Sequence, residues 1–104
     1  MYRQGDVLVI PVGKMPAKLT RMECEHGRVV LAHGEATGHG HAIRSKRATL
    51  FRDEKLAAMF LSVAGTEPVA LEHDEHDTML LPPGTYQVVR QVEYTPAAIR
   101  QVAD

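Results

Sequence analysis

Apolar residues in this chain come in short runs closed by glycine or proline, and that punctuation limits the fold more than any other feature. Asp6 to Val12 (DVLVIPV) lies between Gly5 and Gly13, and Thr78 to Leu81 stops at Pro82-Pro83-Gly84. Thr85 to Tyr94 (TYQVVRQVEY) is the longest stretch of β-forming residues. The first two runs fall short of the roughly 10–12 residues of a helix, and the Val, Ile, Thr and Tyr content of the third suits a pleated strand. About seven strands are expected, with a turn every 8–12 residues or so, the rhythm of a sandwich or small barrel.

In chain order, Asp6–Val12 reads as a central core strand, with Pro11 confined to an edge or bulge because it has no N–H to donate. Residues 14–27 read as a long surface loop carrying at most a short edge strand. Arg28 to Glu35 is a second strand whose alternation places Val29, Leu31, His33 and Glu35 on one face. Thr37 to His41 is a glycine-rich turn, and the chain extends again through Ala42-Ile43-Arg44. A basic turn, Ser45-Lys46-Arg47, leads into a short strand over 48–51. Pro68 to His73 alternates so that Val69, Leu71 and His73 share a face. Thr95-Pro96 would start a helical turn, with residues 100–104 as a tail.

One region admits two readings. Asp53 as an N-cap, Leu56, Met59, Phe60 and Val63 at helical spacing, and Gly65 beyond them describe one short helix. The alternative makes Asp53-Glu54-Lys55 a turn and 58–63 a strand. Its neighbours are all extended, which favours the strand and an all-β fold.

Chemistry concentrates in two places. His33 to His41 (HGEATGHGH) and Glu72 to Asp77 (EHDEHD) hold five of the six histidines. His39 and His41 stand at i and i+2, so on an extended segment both rings leave one face. His73 and His76 are three apart, a spacing that a strand end and its turn can close around an ion. Together His39, His41, His73 and His76 form the candidate ligand set for a divalent metal, with Zn, Fe or Mn as the ions considered. Glu35 and Glu75 are the nearest carboxylates for general-base work or for orienting a ligand. Without a shared site, these histidines would simply be two exposed turns.

Size and charge narrow the rest. With 104 residues the chain is long enough for one domain, 1–104, with a single modest core. A net charge of -1 gives no global attraction to nucleic acid or anionic lipid. Arg44-Ser45-Lys46-Arg47 is the one basic cluster, and a solvated turn explains it. Ten of the 12 Lys and Arg fall in residues 1–55, so the halves differ in charge sign, which suits a protein partner or a head-to-tail contact. A single cysteine, Cys24, excludes an internal disulfide and fits a reducing cytoplasm. Neither a spanning apolar run nor a signal-peptide pattern is present. Phosphate-loop, dinucleotide, nucleophile-elbow and C-x-x-C motifs are absent. Pairing of flat strand edges would make a homodimer.

GHGHAI and PPGTY resemble the cupin pattern, in which an H-x-H and a later histidine bring a metal into a small β-barrel. That resemblance implies His39 and His41 as ligands. The chain departs from the pattern where a cupin has its glutamate, at Arg44 and Ser45, and where it has its last histidine, at Tyr86 to Val88. Nearly the whole chain also resembles a group of short bacterial proteins sharing RQGDVL, GEATGH, HDEH and PPGTY in that order. This second resemblance implies one intact domain and no activity. The resulting expectation is an all-β, cupin-like barrel or sandwich that binds a metal through its histidines and acts as an enzyme on a small substrate if the metal keeps an open position. The alternative is a non-enzymatic protein-binding or regulatory module.

Overall fold

The computed structural model describes residues 1–34, 40–55 and 58–90. Ten strands run through them: β1 (Tyr2–Gln4), β2 (Val7–Pro11), β3 (Thr20–Arg21), β4 (Val29–His33), β5 (Gly40–Ile43), β6 (Ala48–Asp53), β7 (Ala58–Val63), β8 (Val69–Glu72), β9 (Met79–Leu81) and β10 (Gly84–Arg90). No helix occurs among the described residues, and none there is long and apolar enough to cross a membrane. The expected helical turn at Thr95-Pro96 and the tail lie outside the described residues.

The strands form two antiparallel sheets, one ordered β1-β2-β10-β7-β6-β3 and the other β4-β5-β8-β9. They do not close into a barrel. One core lies between them, built from alternate residues of both sheets: Val7 and Val9 of β2, Leu31 of β4, Ile43 of β5, Leu61 of β7 and Leu71 of β8 are all essentially inaccessible. This two-sided burial is what makes the alternating strands stable, since each sheet covers the apolar face of the other.

Asp53 starts a turn rather than a helix: its Oδ1 accepts the backbone N–H of Lys55 at 3.0 Å, and β7 runs antiparallel to β6 from Ala58 opposite Asp53 to Val63 opposite Ala48. Consecutive residues Phe60 (7% exposed) and Leu61 (0%) point to opposite faces of β7 yet are both buried, Leu61 alone belonging to the core between the sheets. Apolar residues on both faces break the strand alternation, which is why the segment imitates a helical pattern.

Local chemistry explains the turns. Gly5 and Asp6 form a two-residue hairpin loop between β1 and β2, with Gln4 opposite Val7 and Gly5 at φ 58° in the first loop position. His26 and Gly27, both at positive φ, make the tight turn that joins Glu25 to Arg28. Pro11 ends β2 beyond the reach of β1, whose last partner is Val9 opposite Tyr2, so no neighbour on that side needs its missing donor. The hydroxyl of Tyr86 donates to the Pro82 carbonyl and fastens the turn into β10. Arg47, expected on a solvated basic turn, donates instead to the carbonyls of Ala64, Glu67 and Pro68 and ties that loop to the sheet.

A bulge between Val30 and Ala32 breaks the alternation of β4. Beyond it His33 does not share the buried face of Val29 and Leu31. Its exposed ring instead pairs with Glu25, Nε2 lying 2.8 and 2.9 Å from the two carboxylate oxygens.

Candidate functional site

The site lies where the β1–β2 hairpin of the larger sheet meets the β5–β8 end of the smaller one. β5 and β8 pair with Ala42 opposite Glu72 and Ile43 opposite Leu71. One step further along that register brings His41 opposite His73. Cross-strand neighbours of this kind touch, and the two imidazoles stack with centroids 4.3 Å apart and planes 28° apart. The turn after β8 then folds His76 back towards both rings, 4.8 Å from His73 and 6.0 Å from His41. Its Nε2 lies so close to Gly5 that a Cβ there would stand 2.6 Å away.

His41 shares the parity of Ile43, so it points into the core at its open end and is only 4% exposed. His73 is half-buried and His76 exposed. His39 and Glu35, the other members of the expected set on this side, lie outside the described residues. Glu75 enters through its backbone, whose N–H donates to His73 Nδ1 at 3.1 Å, while its side chain is exposed.

Two residues that the sequence did not single out govern the cluster. Gln4 is 2% exposed, and its Nε2 donates to the carbonyls of Leu71 (2.8 Å) and Asp77 (2.9 Å). Two carbonyl acceptors fix which end of the amide is the NH2 group, so its oxygen must face His41, 2.8 Å from Nδ1. His41 therefore carries its proton on Nδ1 and, when neutral, keeps a lone pair on Nε2. Asp6 lies opposite that lone pair, with Oδ1 3.4 Å from Nε2, while its Oδ2 accepts from Arg90 Nε at 2.8 Å. The hydrogen bond and charge of Arg90 hold the Asp6 carboxyl below the usual carboxylate range, against a smaller opposing effect of partial burial. Burial first, and then the charge of His73, push His41 below its ordinary value despite the pull of Asp6, so its neutral form is favoured.

A neutral Nε2 facing a carboxylate is two acceptors in opposition, an arrangement that a cation between or beside them relieves. Among the described residues, no group of three or more His, Cys, Asp or Glu side chains is already set to hold a metal ion. The rings are stacked rather than convergent, and the Nδ1 lone pair of His73 is taken by Glu75. Ligation therefore requires the side chains of the exposed turn to rotate and that hydrogen bond to be exchanged.

Fold and site together define a small two-sheet β-protein with three imidazoles clustered at the corner where its sheets meet. The chain belongs to the family described as domain of unknown function DUF8820, whose model matches residues 3–91. No curated protein and no solved structure matches it.

Proposed function

We propose that this protein binds a divalent transition metal at the corner formed by His41, His73 and His76, with Asp6 as the adjacent carboxylate. The observation that carries the reading is the tautomer of His41: the Gln4 amide oxygen accepts its Nδ1–H, which leaves an unprotonated Nε2 lone pair facing Asp6 beside two further imidazoles. Orientation of a ligating histidine through its other nitrogen is how protein metal sites commonly raise ligand basicity and fix the ring. Imidazole and carboxylate donors suit Zn²⁺, Fe²⁺ or Mn²⁺, with imidazole the better match for the first two. His39, two residues before His41, is the fourth histidine of the expected set. Three imidazoles would leave a position for water or substrate, and a fourth would close a tetrahedral site. The cupin-like reading and metal-assisted chemistry on a small substrate rest on the first case.

The test is metal content by mass spectrometry of protein purified without an affinity tag, followed by calorimetric titration with Zn²⁺ and by Co²⁺ absorption spectra. The double variant His73→Ala/His76→Ala alters only the partly exposed turn, so the fold should persist. Near-stoichiometric metal in the parent, weakened at least about 100-fold in the variant, is the expected result. A folded parent that takes up none of Zn²⁺, Co²⁺, Fe²⁺, Mn²⁺ or Ni²⁺ overturns the reading.

A further inference from the structure

Arg90, bonded to the Asp6 that faces His41, also lines a cavity of about 260 Å³ between β4 and the inner face of the larger sheet. Its walls include Val7, Met22, Leu50, Met59 and Val88. Its ionisable side chains are Glu23, Glu25, His33 and Arg90. The volume is just below the roughly 300 Å³ at which typical ligand pockets begin, so it suits a small molecule and excludes a nucleotide or a long acyl chain.

The charges decide what kind of small molecule. Arg90 is held by Asp6 through Nε alone, which fixes the planar guanidinium while leaving the edge bearing its two Nη atoms without a further partner among the described residues. That edge can grip a carboxylate with two parallel hydrogen bonds. Of the two glutamates that line the cavity, Glu25 is paired with His33, and Glu23 has no ion-pair partner among the described residues. A purely anionic ligand would meet the two glutamates, and a purely cationic one would meet Arg90. A ligand carrying both charges on an apolar body satisfies both kinds of group. Arg90 comes from β10 and the glutamates from the segment between β3 and β4, so the opposite charges enter from different elements.

We propose that this cavity binds an α-amino acid with an unbranched or branched apolar side chain, its carboxylate on Arg90, its ammonium on the Glu23 and Glu25 side, and its side chain against Met22, Met59 and Val88. The site stands whether or not the histidines hold a metal. Arg90 is its positioning cation, and Asp6 keeps that cation in place.

Metal-free protein, treated with a chelator and then freed of it, is titrated at millimolar ligand with L-methionine, with hexanoate and with pentylamine, and binding is read from protein amide NMR shifts. L-methionine should saturate shifts at cavity residues, and each one-charge analogue should bind at least about tenfold more weakly. Met59→Trp fills the cavity at a partly buried position, and Arg90→Gln removes the guanidinium. Each should lower methionine affinity about tenfold or more while the spectrum stays that of a folded protein. Absence of saturable methionine shifts in the folded parent overturns the proposal, as does equal binding of hexanoate or pentylamine, or a folded Met59→Trp protein of unchanged affinity.

Discussion

Gln4→Met is the substitution that most directly challenges the account of this corner. Methionine is close to glutamine in length and shape, so the change removes polar atoms without opening a large cavity. It strips a partner from three groups: the buried Nδ1–H of His41, the carbonyl of Leu71 and the part-buried carbonyl of Asp77. An unsatisfied buried donor costs about 1–3 kcal/mol, and a carbonyl that retains a second contact costs less. The sum is about 3 kcal/mol, a large share of the roughly 5–15 kcal/mol that holds a domain together. Urea unfolding followed by circular dichroism measures it as a shift in midpoint at unchanged slope. In the same variant His41 is free to exchange tautomers, so metal affinity should fall about 10–100-fold if the metal reading holds. A second substitution separates hydrogen bonding from shape. Gln4→Glu keeps the size, but at neutral pH it turns acceptor oxygens towards two carbonyls, so it should destabilise at least as much as methionine. Acidification should recover part of the loss as the introduced carboxyl regains one donor. A Gln4→Met protein within about 0.5 kcal/mol of the parent would refute the claim that this amide organises the site.

Two further outcomes follow from the same geometry. Gly5→Ala forces a side chain into the left-handed region at φ 58° and drives its Cβ against His76; it should cost about 1 kcal/mol in urea unfolding and displace His76 enough to weaken Zn²⁺ in calorimetry, and unchanged stability and affinity together would contradict the packing described. Metal-free protein should lose stability on mild acidification: His41 has a lowered value in the fold, so the unfolded chain binds its proton first, and stability is full above about pH 6.5 and falls below it at up to about 1.4 kcal/mol per pH unit until the folded value is passed. The groups facing His41 are His73, His76, Asp6 and Arg90; Asp6, with its value held down by Arg90, adds a loss only in the more acid carboxylate range, so urea midpoints that stay flat between about pH 8 and about pH 5.5 would contradict the buried neutral imidazole.

Much of the sheet structure was legible from local sequence because most strands carry alternating or continuous apolar runs bounded by Gly, Pro or Asp. β1 was not, since Tyr2-Arg3-Gln4 buries a glutamine instead of an aliphatic residue, and a three-residue strand has no period to recognise. The face of His33 was misread for a different reason: one extra residue in β4 reverses every side chain beyond it, and bulges leave little trace in a single sequence. For the site, the two histidine-bearing stretches were visible, but their meeting depends on the register of β5 against β8, a contact between residues about thirty apart in the chain. Asp6 and Gln4 were invisible as site residues because they arrive from the opposite sheet. The only local hint was a Gly-Asp pair introducing an apolar run, which marks a hairpin and says nothing about what the hairpin touches.

The burial of Gln4 and His41 itself calls for a physical reason. Apolar residues of similar volume would close the end of a β-sandwich at equal or greater stability, because a buried polar pair contributes little net free energy after its desolvation. Of the three buried polar or charged residues described, two are bonded to each other at this corner. The third, Asp53, caps a turn. Among the described residues no buried side-chain nitrogen or oxygen lacks a partner, so the pair is a completed network and not a packing defect. What the network accomplishes, beyond stability, is to aim one nitrogen of His41 at Asp6, beside the stacked rings of His73 and His76. Asp6 in turn holds Arg90, which lines the cavity, through its other oxygen. A cation that drew Asp6 towards His41 would loosen Arg90, and an anion that drew Arg90 away would free Asp6. One carboxylate thus belongs to both proposed sites, and by linkage any effect of metal on ligand affinity must be matched by an equal effect of ligand on metal affinity.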